Sequence, residues 1–297
     1  MNVDRAATSL TERVNRWALW LLYAFTGVTL LGYATFGVHP GLLAHVPQVA
    51  GLYAFAFRFF AVGHVWLAFA VMALFLTLGV GWRWLPAFVA LYLISLGSEM
   101  AGTTTGLPFG EYHYSPLMDP MWFGHVPVVI PLSWFFMAIP SYALARMAVP
   151  APGRRWTRVF LASAVLVSWD LSLDPAMSYA TRYWVWGSTG AYYGMPWLNL
   201  FGWYVTGLFL MTALSVLKVD EWLGSLSIRW LTGFYLVNLA LPVGMNMAAG
   251  LWGAVVAAAV ALGAAYALGR WLADGSREEG RSGSVESDTV SDPYPAR

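Results

Sequence analysis

The chain has 297 residues, of which 59% are hydrophobic and only 10% are charged, and its formal net charge is +1. A soluble domain carries about 25% charged residues, so this composition excludes an ordinary soluble globular protein. The weak charge, with no basic patch interleaved with aromatic residues, argues against a nucleic-acid partner, and the absence of cysteine excludes disulfides and thiol catalysis.

Apolar stretches of about 20 residues recur along the chain, and this is the length that spans the hydrocarbon core of a bilayer. We predict an all-α fold, a polytopic transmembrane bundle of about eight helices. In chain order the predicted helices cover residues 17–38, 59–80, 84–102, 126–149, 158–174, 196–217, 229–247 and 249–270. The first apolar run is too long for a signal peptide and no small-residue cleavage site closes it, so we expect a retained helix.

The positive charges predict the orientation of this bundle. With eight spans, Arg58 and Arg182 alone among the 16 Lys and Arg residues fall on one side. Because cytoplasmic loops carry the excess of Lys and Arg, we predict a multi-pass protein of the plasma membrane with both termini in the cytoplasm. Residues 1–271 are predicted to form the transmembrane catalytic domain, and the Ser- and Gly-rich residues 272–297 a disordered cytoplasmic tail.

Two long extracytoplasmic loops are predicted, at residues 103–125 and 175–195. Polar residues collect beside them: Glu99 near the end of the third helix, Asp170 and Asp174 at the end of the fifth, and Asn199 at the start of the sixth. Ionisable groups inside a membrane are costly and by default mark functional sites. We therefore place the candidate site at this face.

The segments after the two loops resemble each other faintly. Each has Pro, six further residues and Trp, in "PVVIPLSW" and "PWLNLFGW". A similarity this short arises easily by chance. As a true internal repeat it would place the two loops side by side.

The aspartates of "VSWDLSLDP" are four residues apart, so on a helix they share one face. Asp174 before Pro175 also fits a helix N-cap, and Asp170 also fits a structural ion pair with Arg182 or a hydrogen bond to a Tyr. In a shared pocket, two such close carboxyls divide their roles. One keeps a proton while the other ionises, as acid–base catalysis requires.

The loop "TGLPFGEYHYSPLMD" adds Glu111 and His113, beside Tyr112. A loop histidine that is hydrogen-bonded to backbone is an equally good interpretation of His113. The chain has no His-x3-His or Cys-rich spacing, so we predict no metal site. No cofactor motif is present either, and we predict no cofactor.

Aromatic residues are dense beside the acids, as in "YWVWGSTGAYYGMPW". An interfacial aromatic belt accounts for most of them. Ring faces also stabilise cations, so a pocket of acids with aromatic walls could protonate an alkene and shelter the carbocation.

Three chemistries fit these residues. The D-x3-D spacing is typical of membrane prenyltransferases that bind magnesium and a prenyl diphosphate, but this face offers only Arg58 and Arg182 to a diphosphate. Paired acids could serve a proton-coupled transporter, but no helix is broken at mid-membrane in both halves. Acid catalysis on a lipid-dissolved alkene accounts for the acids, the aromatics and the bilayer location together.

The segments "GTTTGLPFGEYHYS", "VPVVIPLSWFFM", "WDLSLDPAM" and "WGSTGAYYGMPWLNLFGW" resemble the CruF-type carotenoid hydratases, closely over residues 99–203 and loosely elsewhere. The resemblance implies a hydro-lyase that adds water to the terminal 1,2 double bond of an acyclic (ψ) carotenoid end group, giving a tertiary 1- or 1′-hydroxyl. γ-Carotene, lycopene and C50 pigments are all candidate substrates, and the near-neutral charge favours a bacterial, γ-carotene type. The implied partners are the carotenoid, membrane lipid and other enzymes of carotenoid biosynthesis.

We assign roles within that chemistry as follows. Asp170 is predicted to protonate C2, while Asp174 or Glu99, ionised, holds the water that adds to C1. The cation at C1 is predicted to face Trp169, Tyr183 or Trp186. Further substrate contacts are predicted at Tyr112, His113, Glu111 and Asn199.

Overall fold

The computed structural model describes residues 2–150 and 153–288. Long helices dominate it, which confirms the predicted all-α bundle. The helices are α1 (Asn2–Gly32), α2 (Ala50–Val80), α3 (Leu85–Thr105), α4 (Ile130–Ala148), α5 (Arg155–Asp174), α6 (Trp197–Val216), the short α7 (Asp220–Leu223), α8 (Ile228–Ala248) and α9 (Trp252–Asp288).

Six stretches of the described chain are long and apolar enough to cross a membrane, so this is a membrane protein. One of them, Gly51–Thr105, covers α2 from its second residue and the whole of α3. Within the described residues α4 is not among the six, although it has the length of a span. It is buried on nearly all sides, as expected of a helix at the centre of a bundle.

Two small antiparallel sheets lie in the loops. Strand β1 (Tyr112–Tyr114) pairs with β4 (Trp184–Trp186), and β2 (Met121–Trp122) pairs with β3 (Val126–Pro127). The β1–β4 pairing joins the two loops side by side, next to the ends of α3 and α5. Because 126–127 form a strand, α4 begins four residues later than predicted, at Ile130.

α5 ends at Asp174, but the chain does not start a separate helix there. Asp174 has helical torsions and its side chain makes no capping hydrogen bond, and the chain continues into the π-helical turn Pro175–Ala180. Pro175 has no N–H to donate to the Leu171 carbonyl four residues earlier, and the Tyr192 hydroxyl donates to that carbonyl instead, at 2.7 Å. The N-cap interpretation of Asp174 is therefore wrong.

The opposite end of the bundle is held together around Asp220 of α7. Arg146 lies 3.2 Å and Arg158 lies 3.6 Å from its carboxylate oxygens, and Tyr142 donates a hydrogen bond of 3.1 Å. These contacts join α4, α5 and α7 at the face where the positive charges gather.

α9 runs past residue 272 to Asp288, and residues 289–297 lie outside the described part of the chain. The boundary predicted at residue 272 is thus not the end of a helix. The division into a catalytic domain and a disordered tail stays a prediction.

Candidate active site

A cavity of about 230 Å³ lies inside the bundle, beneath the paired loops. Its walls are mostly aromatic and aliphatic, and the carboxyls of Glu99 and Asp174 line it. Among the described residues that line it there is no Lys or Arg. It is therefore an apolar chamber with two acids and, among these lining residues, no permanently positive side chain.

Glu99, buried on α3, accepts hydrogen bonds from three aromatic side chains. The hydroxyls of Tyr112 and Tyr114 both donate to Oε2, the latter at 2.8 Å. The indole Nε1 of Trp134 donates to Oε1 at 2.8 Å. We call Glu99, Tyr112, Tyr114 and Trp134 the Glu99 half-site.

Asp174, buried at the end of α5, accepts from four donors. Oδ1 accepts from the Ser178 hydroxyl at 2.7 Å and from the Trp186 indole at 3.2 Å. Oδ2 accepts from the Trp184 indole at 3.3 Å and from the Asn199 amide at 3.3 Å. We call these five residues the Asp174 half-site.

The β1–β4 sheet supplies two donors to each acid. Alternate residues of a strand point to the same face, so Tyr112 and Tyr114 reach Glu99 together while His113 points away. On β4, Trp184 and Trp186 reach Asp174 in the same manner. The two half-sites meet where the rings of Tyr112 and Trp186 lie 5.2 Å apart.

The phenols of the Glu99 half-site remain protonated. Burial raises the pKa of Tyr112 and that of Tyr114 well above the usual value for tyrosine, and the negative charge of Glu99 raises both further. Each phenol therefore acts as a donor, which suits Glu99 as a carboxylate.

Asp170 is fully buried and lies outside the cavity lining. Its Oδ2 accepts from the Asn199 amide at 3.2 Å, while its Oδ1 has no hydrogen-bond partner. The same amide nitrogen contacts Asp174, so Asn199 bridges the two aspartates. This amide, rather than exposed Arg182, is the partner of Asp170.

Tryptophans form the inner wall of the cavity. Trp134 and Trp203 stack with ring centroids 3.9 Å apart, and Trp169 meets Trp203 edge-on at 5.9 Å. The stacked pair is formed by the two tryptophans that end the similar Pro-x6-Trp segments. Tyr183 adds a further wall, stacked on Phe57 at 5.5 Å.

Comparison with known proteins assigns the chain to a family. The profile of the family described as "Carotenoid biosynthesis protein" matches residues 60–265, well over half of the chain. The protein belongs to this family. A curated relative, the bisanhydrobacterioruberin hydratase of Haloarcula japonica, is 34% identical over 122 residues. The aligned part is 41% of this chain and 41% of that relative, so less than half of the relative's length is matched. No solved structure matches.

The match confirms the resemblance to the CruF-type hydratases. Within this carotenoid biosynthesis protein, most of the predicted site residues come together. Those that line the cavity are Glu99, Asp174, Tyr112, Trp169, Tyr183, Trp186 and Asn199. Three do not: Asp170 lies behind Asn199, while Glu111 and His113 are exposed.

Four residues of the half-sites escaped the sequence analysis as site residues, namely Tyr114, Trp134, Ser178 and Trp184. For Tyr114 and Trp184, the sequence of the two long loops contains a pattern that could have predicted their positions. The triplets "YHY" and "WVW" alternate with the period of a strand, which places their outer residues on one face. Trp134 carries no such signal, because its contact depends on how α4 packs on α3. Ser178 lies four residues after Asp174 but beyond the predicted helix end at residue 174.

Proposed function

We propose that this protein is a carotenoid hydratase that adds water to the terminal 1,2 double bond of an acyclic end group. The observation that carries the proposal is the pair of donor-rich carboxyls facing one apolar, aromatic-walled cavity inside a membrane protein. The family assignment and the hydratase relative support it.

An isolated alkene offers no polar group to hold, so recognition must come from shape and apolar contact. Its hydration begins with a proton, which a buried carboxyl can supply. The resulting tertiary cation is stabilised by ring faces, and Trp169, Tyr183 and Trp186 line the cavity for this role.

The aspartate pair is the proposed proton donor. Because Asp174 lines the cavity and Asp170 does not, we assign proton delivery to Asp174. The Asp170 carboxyl, held by the same Asn199 amide, disfavours ionisation of both acids at once, so the pair keeps one proton. The π electrons of the alkene form the new C2–H bond, C1 becomes cationic, and the donors around Asp174 stabilise the carboxylate left behind.

Glu99 is the proposed base. A water molecule held by this carboxylate attacks C1, its oxygen forms the C1–O bond, and its proton passes to Glu99. The alkene gains one hydrogen and one hydroxyl, so one water is consumed. Proton exchange between Glu99 and the aspartate pair across the cavity restores the starting state without net proton uptake.

The prenyltransferase alternative finds little support in the cavity. Arg58 and Arg182 are exposed and absent from its lining, so neither is placed to bind a diphosphate there. The four neighbours that contact the Asp174 carboxylate are N–H and O–H donors, which bind a carboxylate directly and are not metal ligands in these contacts.

One assay separates the three chemistries. Purified protein in detergent is mixed with γ-carotene in ¹⁸O-labelled water, without magnesium, diphosphate or an ion gradient. A hydratase yields the 1′-alcohol with labelled oxygen. Activity that chelation abolishes and magnesium restores would support the metal-dependent alternative, and absence of alcohol with every acyclic carotenoid tested would refute the hydratase. The same assay with lycopene and a C50 pigment compares the candidate substrates.

We further propose a plasma-membrane location with both termini in the cytoplasm and contact with other carotenoid-biosynthesis enzymes. The native chain has no cysteine, so single cysteines report topology cleanly. A membrane-impermeant thiol reagent on intact cells should label Ser188→Cys and spare Ser284→Cys. The reverse pattern would place the two loops in the cytoplasm. Co-purification of a second carotenoid enzyme with the tagged protein in mild detergent would test the contact, and its absence would remove that part of the proposal.

A further inference from the structure

The cavity does not end at the acids. It continues between α1 and α2, where Val28, Thr29 and Gly32 of α1 and Phe60 of α2 line it. Val28 is 53% exposed although it lines the cavity. The cavity therefore reaches the outer surface of the bundle between these two helices.

This opening has a defined frame. On one side, the Thr26 hydroxyl contacts His64 Nε2 at 3.1 Å, and the rings of Phe25 and Phe60 lie 4.9 Å apart. On the other side, Phe36 meets Tyr53 at 5.5 Å. Phe36 lies in the π-helical turn Tyr33–Gly37 that continues α1. From Thr26 to Phe36 this helical stretch rises about 15 Å, which is the length of the opening. We call this opening the α1–α2 window.

The window faces lipid rather than water. Both helices lie in stretches apolar enough to span a membrane, and large apolar side chains are exposed around the opening, among them Leu31 and Phe59. The Thr26 and Thr29 hydroxyls donate to carbonyls of their own helix at 2.8 Å. Their hydrogen bonds are thus satisfied internally, and the rim is apolar.

A carotenoid polyene is a stiff rod about as long as the ~30 Å hydrocarbon core is thick, and the cavity opens at the surface of the bundle. With one end group at Glu99 and Asp174, the rest of the molecule must leave the bundle. Resting on the function proposed above, we propose that the polyene leaves through the α1–α2 window into the bilayer. The window is a subsite for a linear apolar chain, and Gly32 keeps it open.

Gly32 is suited to this role because nothing lies within 4 Å of the position where its Cβ would stand. A larger side chain there meets no protein atom at its base and extends into the passage. The part of the polyene beyond the window lies in lipid, so the protein makes no contact with the far end of the substrate. Substrates with a cyclic or an acyclic far end should therefore react equally well.

The test compares Gly32→Phe with Gly27→Phe. Gly27 also lies on α1 with open space at its Cβ, but it is exposed and absent from the cavity lining. Each variant is assayed for ¹⁸O incorporation with a full-length acyclic carotenoid and with a short acyclic terpene that carries the same terminal double bond.

Gly32→Phe should slow the full-length substrate by about tenfold or more, as an overpacked passage would, and leave the short substrate nearly unchanged. Gly27→Phe should change neither. Equal loss with both substrates, or no loss with either, would overturn the window. Val28→Trp, at an exposed position on the rim, provides a second obstruction should Gly32→Phe fail to fold.

A binding measurement tests the window independently of the proposed hydratase activity. Quenching of tryptophan fluorescence by the bound polyene needs no reaction, and Gly32→Phe should weaken it about tenfold relative to Gly27→Phe. If the wild type binds but forms no alcohol, the hydratase proposal fails while the window stands. If the wild type forms alcohol and Gly32→Phe binds the carotenoid normally, the window is refuted.

Discussion

The two half-sites share one construction and differ in their donors. In each, a carboxyl near the end of a helix faces a short strand with two aromatic donors. Around Glu99 two of the three donors are phenols. Around Asp174 the aromatic donors are indoles, and a second carboxyl, Asp170, stands behind the amide of Asn199.

This difference indicates a division of labour. A phenol can pass a proton on, while an indole N–H only donates a hydrogen bond. The Asp174 half-site has fixed donors and a neighbouring carboxyl, Asp170, whose proximity favours a single proton retained by the pair. The Glu99 half-site has two phenol hydroxyls, which can accept one proton as they pass on another, beside the carboxylate that would deprotonate water. Breaking each half separately tests whether the roles are divided as proposed.

The largest effect is expected for Asp174→Asn. The amide keeps the size of the side chain but has no proton to deliver, so hydration should fall about 10³- to 10⁴-fold. Pigment analysis of cells that make γ-carotene, with the variant present in the membrane at normal level, measures it. Asp119→Asn, at an exposed carboxyl in the other loop, is the control. Undiminished alcohol in Asp174→Asn would remove Asp174 as the acid.

Glu99→Gln should reduce alcohol formation about 10²- to 10³-fold and yet leave protonation of the alkene intact. In D₂O this variant should return substrate with deuterium at C2, because the cation forms and reverts without capturing water. Asp174→Asn should show no such exchange. Exchange in the aspartate variant but not in the glutamate variant would reverse the two roles.

Asp170→Asn should lower hydration about a hundredfold. Asp170 acts on the substrate only by keeping Asp174 protonated, so the loss should fall on kcat while KM stays near that of the wild type. A structural role alone would instead lower the thermal stability in detergent with unchanged kcat per folded molecule. That result would end the proposal of a shared proton.

The smallest effect is expected at two exposed residues, His113 on β1 and Glu111 immediately before it. Glu111→Gln and His113→Ala should each change the rate by less than about twofold, since surface substitutions away from a site are nearly neutral. The measurement is the same ¹⁸O assay. A tenfold loss at His113 would show that the sequence-based assignment, and not the strand geometry, was right about this loop.

The helices were predictable because a helix must be about 20 residues long to span the hydrocarbon core. Apolar runs of about 20 residues can only be spans or buried helices, and the i,i+4 spacing of Asp170 and Asp174 predicted their proximity. The pairing of β1 with β4 was not predictable, since a register shift of one residue exchanges the faces of a strand. Glu111 and His113 were therefore assigned to the site as sequence neighbours of Tyr112.

For Asp174 the local sequence pattern was misleading. Its local signal, an acid before proline, suggests a cap, and only the surrounding tertiary structure overrides it. The donors that hold its carboxylate lie 4, 10, 12 and 25 residues further along the chain. Only Ser178 lies within one helical turn of Asp174. The two tryptophans depend on the placement of β4, and Asn199 depends on how α6 packs on α5.

Those same separations bear on how the protein is made. The donors to Glu99 follow it by 13, 15 and 35 residues, so each buried carboxyl finds its partners within its own helical hairpin. As the ribosome releases one hairpin after another into the membrane, neither acid depends on a distant segment for its hydrogen bonds. The pairing of β1 with β4 is the step that must wait for the second hairpin, and with it the two acids are brought over one cavity.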